Sequence, residues 1–250
     1  MPLDKNAYHK LERLFEAQVD RDKAHAIERV VEGWGIYLPC VEPESWVDYV
    51  IVGMEPSFGW ANSIEAARKK VQEGFRNSSL SGRTLSGKES DTLSLFLLSI
   101  DRFLLQLGQT CHMTDLSKGA MPVAVAALDR DRRYEEWYPL LLEEIAIVGK
   151  PGAPVIAIGK QVKKFMQRHD LQRETGRPLY AVPHYSMQAS ASWKEEAEKA
   201  PGDFEAFETA EFGAGSCWAA DLSPAKKQLV FAYRKQFEAI RAAGNGVHSD

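Results

Sequence analysis

The chain has 250 residues, 44% of them hydrophobic and 26% charged, with a formal net charge of −4. That apolar share supports one sizeable core, and the acidic total argues against a protein that coats a polyanion, although it leaves room for a local basic patch. Three cysteines without Cys-x-x-Cys spacing offer no disulfide framework and no zinc or iron–sulfur motif, and no apolar leader or run of about 18 apolar residues occurs. A single domain over 1–250, in a reducing cytoplasm and away from membranes, is the expectation.

In chain order, "AYHKLERLFEAQV" and "AHAIERVVEGW" carry helical spacing and predict two packing helices within residues 1–45. "WVDYVIVGM" is a buried strand, a β-branched run stopped by Gly53. A long polar stretch follows, with a short helix expected in "IEAARKKVQEGF". "DTLSLFLLSIDRFLLQLG" is apolar on nearly every face and predicts a central helix opened by Asp91 as N-cap and closed at Gly108. "TCHMTDL" is a second strand, "YEEWYPLLLEEIAIVG" an amphipathic helix, "APVIAIG" a third strand running into the helix "KQVKKFMQRHDL", and "PLYAVPH" a fourth strand. Strands alternating with helices at this spacing predict a three-layer α/β/α fold around a four-stranded parallel sheet. Residues 187–222 read as a solvated acidic insertion, with seven acids against one base between Glu195 and Glu211. A last helix over 223–244 has Ser223 as N-cap, Pro224 at its first position and an apolar stripe of Leu229, Val230, Tyr233, Phe237 and Ile240.

Each strand ends in chemically useful residues: Gly53-Met54-Glu55-Pro56, Thr114-Asp115-Leu116-Ser117-Lys118, Gly159-Lys160, and Pro183-His184-Tyr185-Ser186. In a parallel sheet these ends share one edge, where open α/β folds bind ligands. No Gly-x-Gly-x-x-Gly, P-loop or His-Glu-x-x-His motif is present, which gives little weight to dinucleotide, triphosphate and metalloprotease functions.

The order of these motifs resembles the uracil-DNA glycosylase superfamily. "VGMEPSFG" is similar to that superfamily's first motif, "MTDLSKG" to its second-strand Thr-Asn-x-x-Lys motif, and "PHYSMQAS" to its His-Pro-Ser motif. The resemblance covers about residues 46–188 and implies a monomeric, cofactor-free hydrolase that removes a deaminated base, with uracil first in line, from DNA. It implies that Glu55 holds the attacking water and balances sugar charge, that His184 supports the leaving base, and that Met54, Phe58 and Asp115 surround the base, with Trp60 an alternative to Phe58 for stacking. Ser57, Gly59, Lys118, Lys160, Ser186, Met187 and Gln188 would meet DNA, Met187 as an apolar wedge in the emptied stack.

The chain departs from the family pattern at several places. Glu55 stands where aspartate or asparagine is usual, Asp115 where asparagine is expected, and Tyr185 where the third motif has proline. The cysteine set that some relatives use for an iron–sulfur cluster is missing. Three roles stay open for Asp115: a neutral acid that reads uracil, an ionised one that favours cytosine, or no contact with the base. Two rival functions also stay open, a module that holds nucleic acid or a nucleotide without cleaving it and a hydrolase of free nucleosides or small glycosides.

Overall fold

Val50, Ile51 and Val52 are fully buried and form the middle of strand β1 (Tyr49–Gly53). A run buried on both faces belongs inside a parallel sheet covered on both sides. Strand β2 (Cys111–Asp115) runs parallel to β1, pairing Tyr49 with Cys111 and Gly53 with Asp115. On the other side β3 (Val155–Ile158) is also parallel to β1, with Ile51 opposite Ile156. With β4 (Leu179–Val182) the four strands take the order β2-β1-β3-β4. The molecule is thus a four-stranded parallel sheet flanked by helices, the three-layer α/β/α class that patterning predicts. These features come from a computed structural model, which describes residues 5–26, 37, 40, 43, 45–56, 63, 65–66, 91–120, 127, 130–212, 216, 218 and 221–245. The expected second N-terminal helix and most of the helix expected in 64–75 lie outside the described residues.

Where the sequence reads as one domain, the contacts group the chain into two compact units. The first takes residues 1–79 and 110–179. In it, helix α1 (Lys5–Ala26) packs on a later helix of 19 residues (Arg130–Val148). Tyr8, Leu11 and Val19 of α1 join Cys40, Trp137 and Leu140 in one apolar cluster. Arg177, 7% exposed, donates to the carbonyls of Gly149, Lys150 and Ala153 at 3.0, 2.6 and 3.2 Å and pins the turn that leads into β3.

The second unit takes residues 80–109 and 180–250. Helix α2 (Thr92–Ser99) starts on Asp91, whose carboxylate accepts from the amides of Leu93 and Ser94 at 3.1 and 3.0 Å, as the sequence predicts. The helix widens into a π-helical turn at Ile100–Leu104 and ends before Gly108, which sits at a φ of 82°. The 19-residue helix of the first unit is α3, followed there by α4 (Lys160–Arg168) and α5 (Leu171–Thr175).

The segment 187–222 corrects the expectation of a solvated insertion. It folds into a short turn (Met187–Ala189), α6 (Ser190–Lys199) and α7 (Pro201–Glu211), and α6 packs along the final helix α8 (Pro224–Asn245). Glu195, Glu198, Asp203 and Glu205 face outward, Glu211 turns in against Arg102 and Trp218, and Trp193, Ala197, Phe207 and Trp218 are buried. The predicted stripe of α8, Leu229, Val230, Tyr233, Phe237 and Ile240, is buried in full, with Tyr233 and Phe96 rings 5.1 Å apart.

Between β3 and α4 the chain turns at Gly159, with φ 89° and ψ 162°, a region that only glycine occupies without strain. Gly159→Ala is expected to destabilise the protein by about 1–3 kcal/mol, read from the urea midpoint; an unchanged midpoint would show that the turn relaxes freely.

Candidate active site

The strand order places the topological switch point between β1 and β3, because the chain leaves β1 toward β2 on one side and reaches β3 on the other. Open α/β sheets bind ligands outside the carboxyl ends of such strands. Glu55 stands two residues past β1, and Gln161 stands in the first turn of α4, just past β3. Arg130, at the start of α3, joins them. Its Nη2 donates to Glu55 Oε1 and its Nη1 to Gln161 Oε1, both at 2.8 Å. Tyr134, one helical turn on, donates its hydroxyl to Glu55 Oε2 at 2.8 Å. The Glu55 side chain is only 4% exposed. A carboxylate taken this far out of water requires such partners.

Asp115 closes β2 beside this group. Beyond the strands the pairing continues, with Leu116 N–H on Gly53 O and Ser117 N–H on Met54 O, both at 3.0 Å. Gly53 makes the arrangement possible, since a Cβ there would run into Asp115 Oδ1. Burial pushes the Asp115 carboxyl up, Lys118 opposes this, and the charges of Glu55 and Glu144 add to it, so that it titrates at about 7. Burial, followed by Glu55, likewise raises the Tyr134 phenol well above its ordinary value.

Behind Asp115 lies a buried polar cluster. Glu144 of α3 accepts from Lys118 Nζ at 2.6 Å and from Thr114 Oγ1 at 2.8 Å, and its other oxygen lies 3.0 Å from His112 Nε2. Lys118 also donates to Thr114. Lys118 and Glu144 are each 1% exposed. Burial alone would raise Glu144, but Lys118 and His112 outweigh it and hold the carboxyl down at about 2. Burial alone would lower Lys118, but Glu144 carries it upward instead.

The remaining predicted site residues divide as follows. Glu55, Met54 and Asp115 are brought together at the ends of β1 and β2. Lys118 is corrected: it does not present a charge to DNA but lies inside the first unit, because its partner Glu144 is buried there. Lys160 is exposed as the first residue of α4. Ser57, Phe58 and Gly59, like Trp60, lie outside the described residues.

His184, Ser186, Met187 and Gln188 belong to the second unit. There His184 Nδ1 accepts from the Ser186 amide at 3.0 Å, which leaves the proton of a neutral ring on Nε2. The His184 carbonyl accepts from Trp193 Nε1 at 3.1 Å, and Met187 is 52% exposed.

Arg130, Tyr134, His112 and Glu144 are absent from the strand-end motifs. The available signals were the spacing of Arg130 and Tyr134 one turn apart on a helix and of His112 and Thr114 on one face of β2. Among the described residues no three His, Cys, Asp or Glu side chains converge as metal ligands would, and no helix is long and apolar enough to cross a membrane. Fold and site define a parallel α/β protein with two carboxyl groups beside its switch point, one ion-paired and one whose titration burial raises to about 7. No family model, curated protein or solved structure matches the chain.

Proposed function

We propose that this protein is a DNA base-excision glycosylase that hydrolyses the N-glycosidic bond of a deaminated base, with uracil the first substrate to test. The carrying observation is the carboxyl pair. Glu55 is clamped by Arg130 and Tyr134, and Asp115, at the end of the neighbouring strand, is held by burial so that it titrates at about 7, far above an ordinary carboxyl. Two carboxyl groups at one crevice, one held by an arginine and a tyrosine and one desolvated, can divide acid and base roles. Base release passes through a cationic sugar and an anionic leaving base. In this proposal Glu55 orients the water and faces the sugar cation, and neutral Asp115 donates to the uracil O4 while its carbonyl accepts from N3. The motif resemblance supports the same assignment.

One observation favours the rival, a nucleic-acid or nucleotide binding module: both oxygens of Glu55 already hold a donor. Alkaline cleavage of labelled oligonucleotides carrying uracil, hypoxanthine, xanthine or a thymine mismatch decides between them. Strand cleavage at one modified base is the expected result; binding without any base release would leave the module.

Asp115→Asn tests the donor. An amide donates at every pH, so the variant should excise uracil as fast as the parent or faster. The parent rate should fall as pH rises through about 7, where Asp115 ionises, and the variant profile should stay flat. A hundredfold loss at every pH would overturn this role.

A further inference from the structure

We infer that the cleft between α3 and α4 seats a phosphate group, carried by a nucleic-acid strand or by a free nucleotide. The cleft measures about 710 Å³, room for more than a lone small anion. α4 turns positions 161, 164, 165 and 168 into it, an i, i+3, i+4, i+7 stripe, and α3 supplies positions 130, 131 and 134 opposite. Among the described residues four cations line it, Arg130, Arg132, Lys164 and Arg168, together with the acid Asp131.

Two of these cations are weakly engaged. Arg168 lies 3.5 Å from Asp131 and 3.3 Å from Glu135 across half-exposed pairs, and Arg132 holds Glu136 one turn along its own helix. Partly solvated pairs of this kind are worth little and exchange readily for a phosphate. Arg130 is held from the inside, its Nη atoms engaged by Gln161 and Glu55. The exposed cations Lys164 and Arg168 are the groups that would meet a phosphate. Guanidinium forks match phosphate geometry, and the rings of Tyr134 and Phe165, packed edge to face with centroids 5.4 Å apart, provide an apolar floor. The inference deepens the proposed function by placing a phosphate seat beside Glu55, yet it needs no catalytic step and can fail separately.

The test compares the full-length parent with Lys164→Gln/Arg168→Gln, both positions being exposed, by fluorescence anisotropy of a labelled uracil-containing single strand over a salt series. The variant should bind about tenfold more weakly, and its log–log salt slope should be shallower by about 1.4, two contacts at roughly 0.7 each. Lys164→Arg/Arg168→Lys should retain binding. Competition by dUMP or inorganic phosphate identifies a free nucleotide as the source, and competition by unlabelled strand alone identifies a strand. Equal affinity and slope in parent and Gln variant, or a parent that binds neither the strand nor dUMP, overturns the inference. Base release on the same samples separates the two ideas. Binding that depends on the cleft without base release sinks the glycosylase and keeps the seat; base release with equal KM in parent and variant sinks the seat and keeps the glycosylase.

Discussion

Glu144→Ala is expected to lower the unfolding free energy by about 3–5 kcal/mol, the range for breaking a buried ion pair. The loss follows from what remains behind: the amine of Lys118, 1% exposed, stays buried with only Thr114 as a hydrogen-bond partner from the cluster, at a cost whether it holds its charge or gives it up. Lys118→Met/Glu144→Leu removes both charges and should recover most of the loss. Urea unfolding measures both, and a single-variant loss below about 1 kcal/mol would show that water reaches Lys118.

The pH dependence has two opposing parts. Glu144 titrates near 2 in the fold against 4.5 for a free group, so its stabilisation is present above about 4.5 and disappears as pH falls toward 2. Asp115 is shifted the other way, from 3.8 to about 7. Its contribution is complete below about 3.8 and is lost as pH rises toward 7. These two groups alone place maximum stability at about pH 4–5, and Glu144→Ala should abolish the acid limb while leaving the limb above it.

Glu55→Gln should slow base release by about 10²–10⁴-fold, the usual worth of a positioned acid–base group, with substrate affinity nearly unchanged. The amide keeps a hydrogen bond for the Tyr134 hydroxyl, but it brings no negative charge to the sugar cation or to Arg130. Single-turnover rates on a uracil oligonucleotide, with the thermal midpoint as a folding control, provide the measurement. A variant within threefold of the parent would remove Glu55 from the chemistry.

The sheet was legible because its strands are short β-branched or apolar runs stopped by glycine, proline or a polar cluster, and all four expected strands are present. The carboxyl residues at the ends of β1 and β2 were legible for the same reason. Their partners were not. Arg130, Tyr134 and Glu144 lie on α3, where a helix with one polar and one apolar face looks the same whether its polar residues meet water or a buried carboxyl. Lys118 looked like a surface charge because burial of a lysine depends on an acid 26 positions further on. The acidic segment misled through composition: seven carboxylates hid a sparse inward stripe of Trp193, Ala197 and Phe207.

Gly53 and Asp115 also constrain how this sequence can change. The Asp115 carboxyl occupies the place where a side chain at position 53 would begin, so the two positions form an epistatic pair. Any larger residue at 53 becomes acceptable only after position 115 has shortened or swung away, and a lineage that made the changes in the reverse order would pass through a clash between neighbouring strands. Among diverging copies of this protein, the residue at position 53 should therefore report on the acid at 115: glycine where the carboxyl is kept, and a side chain only where the carboxyl is gone.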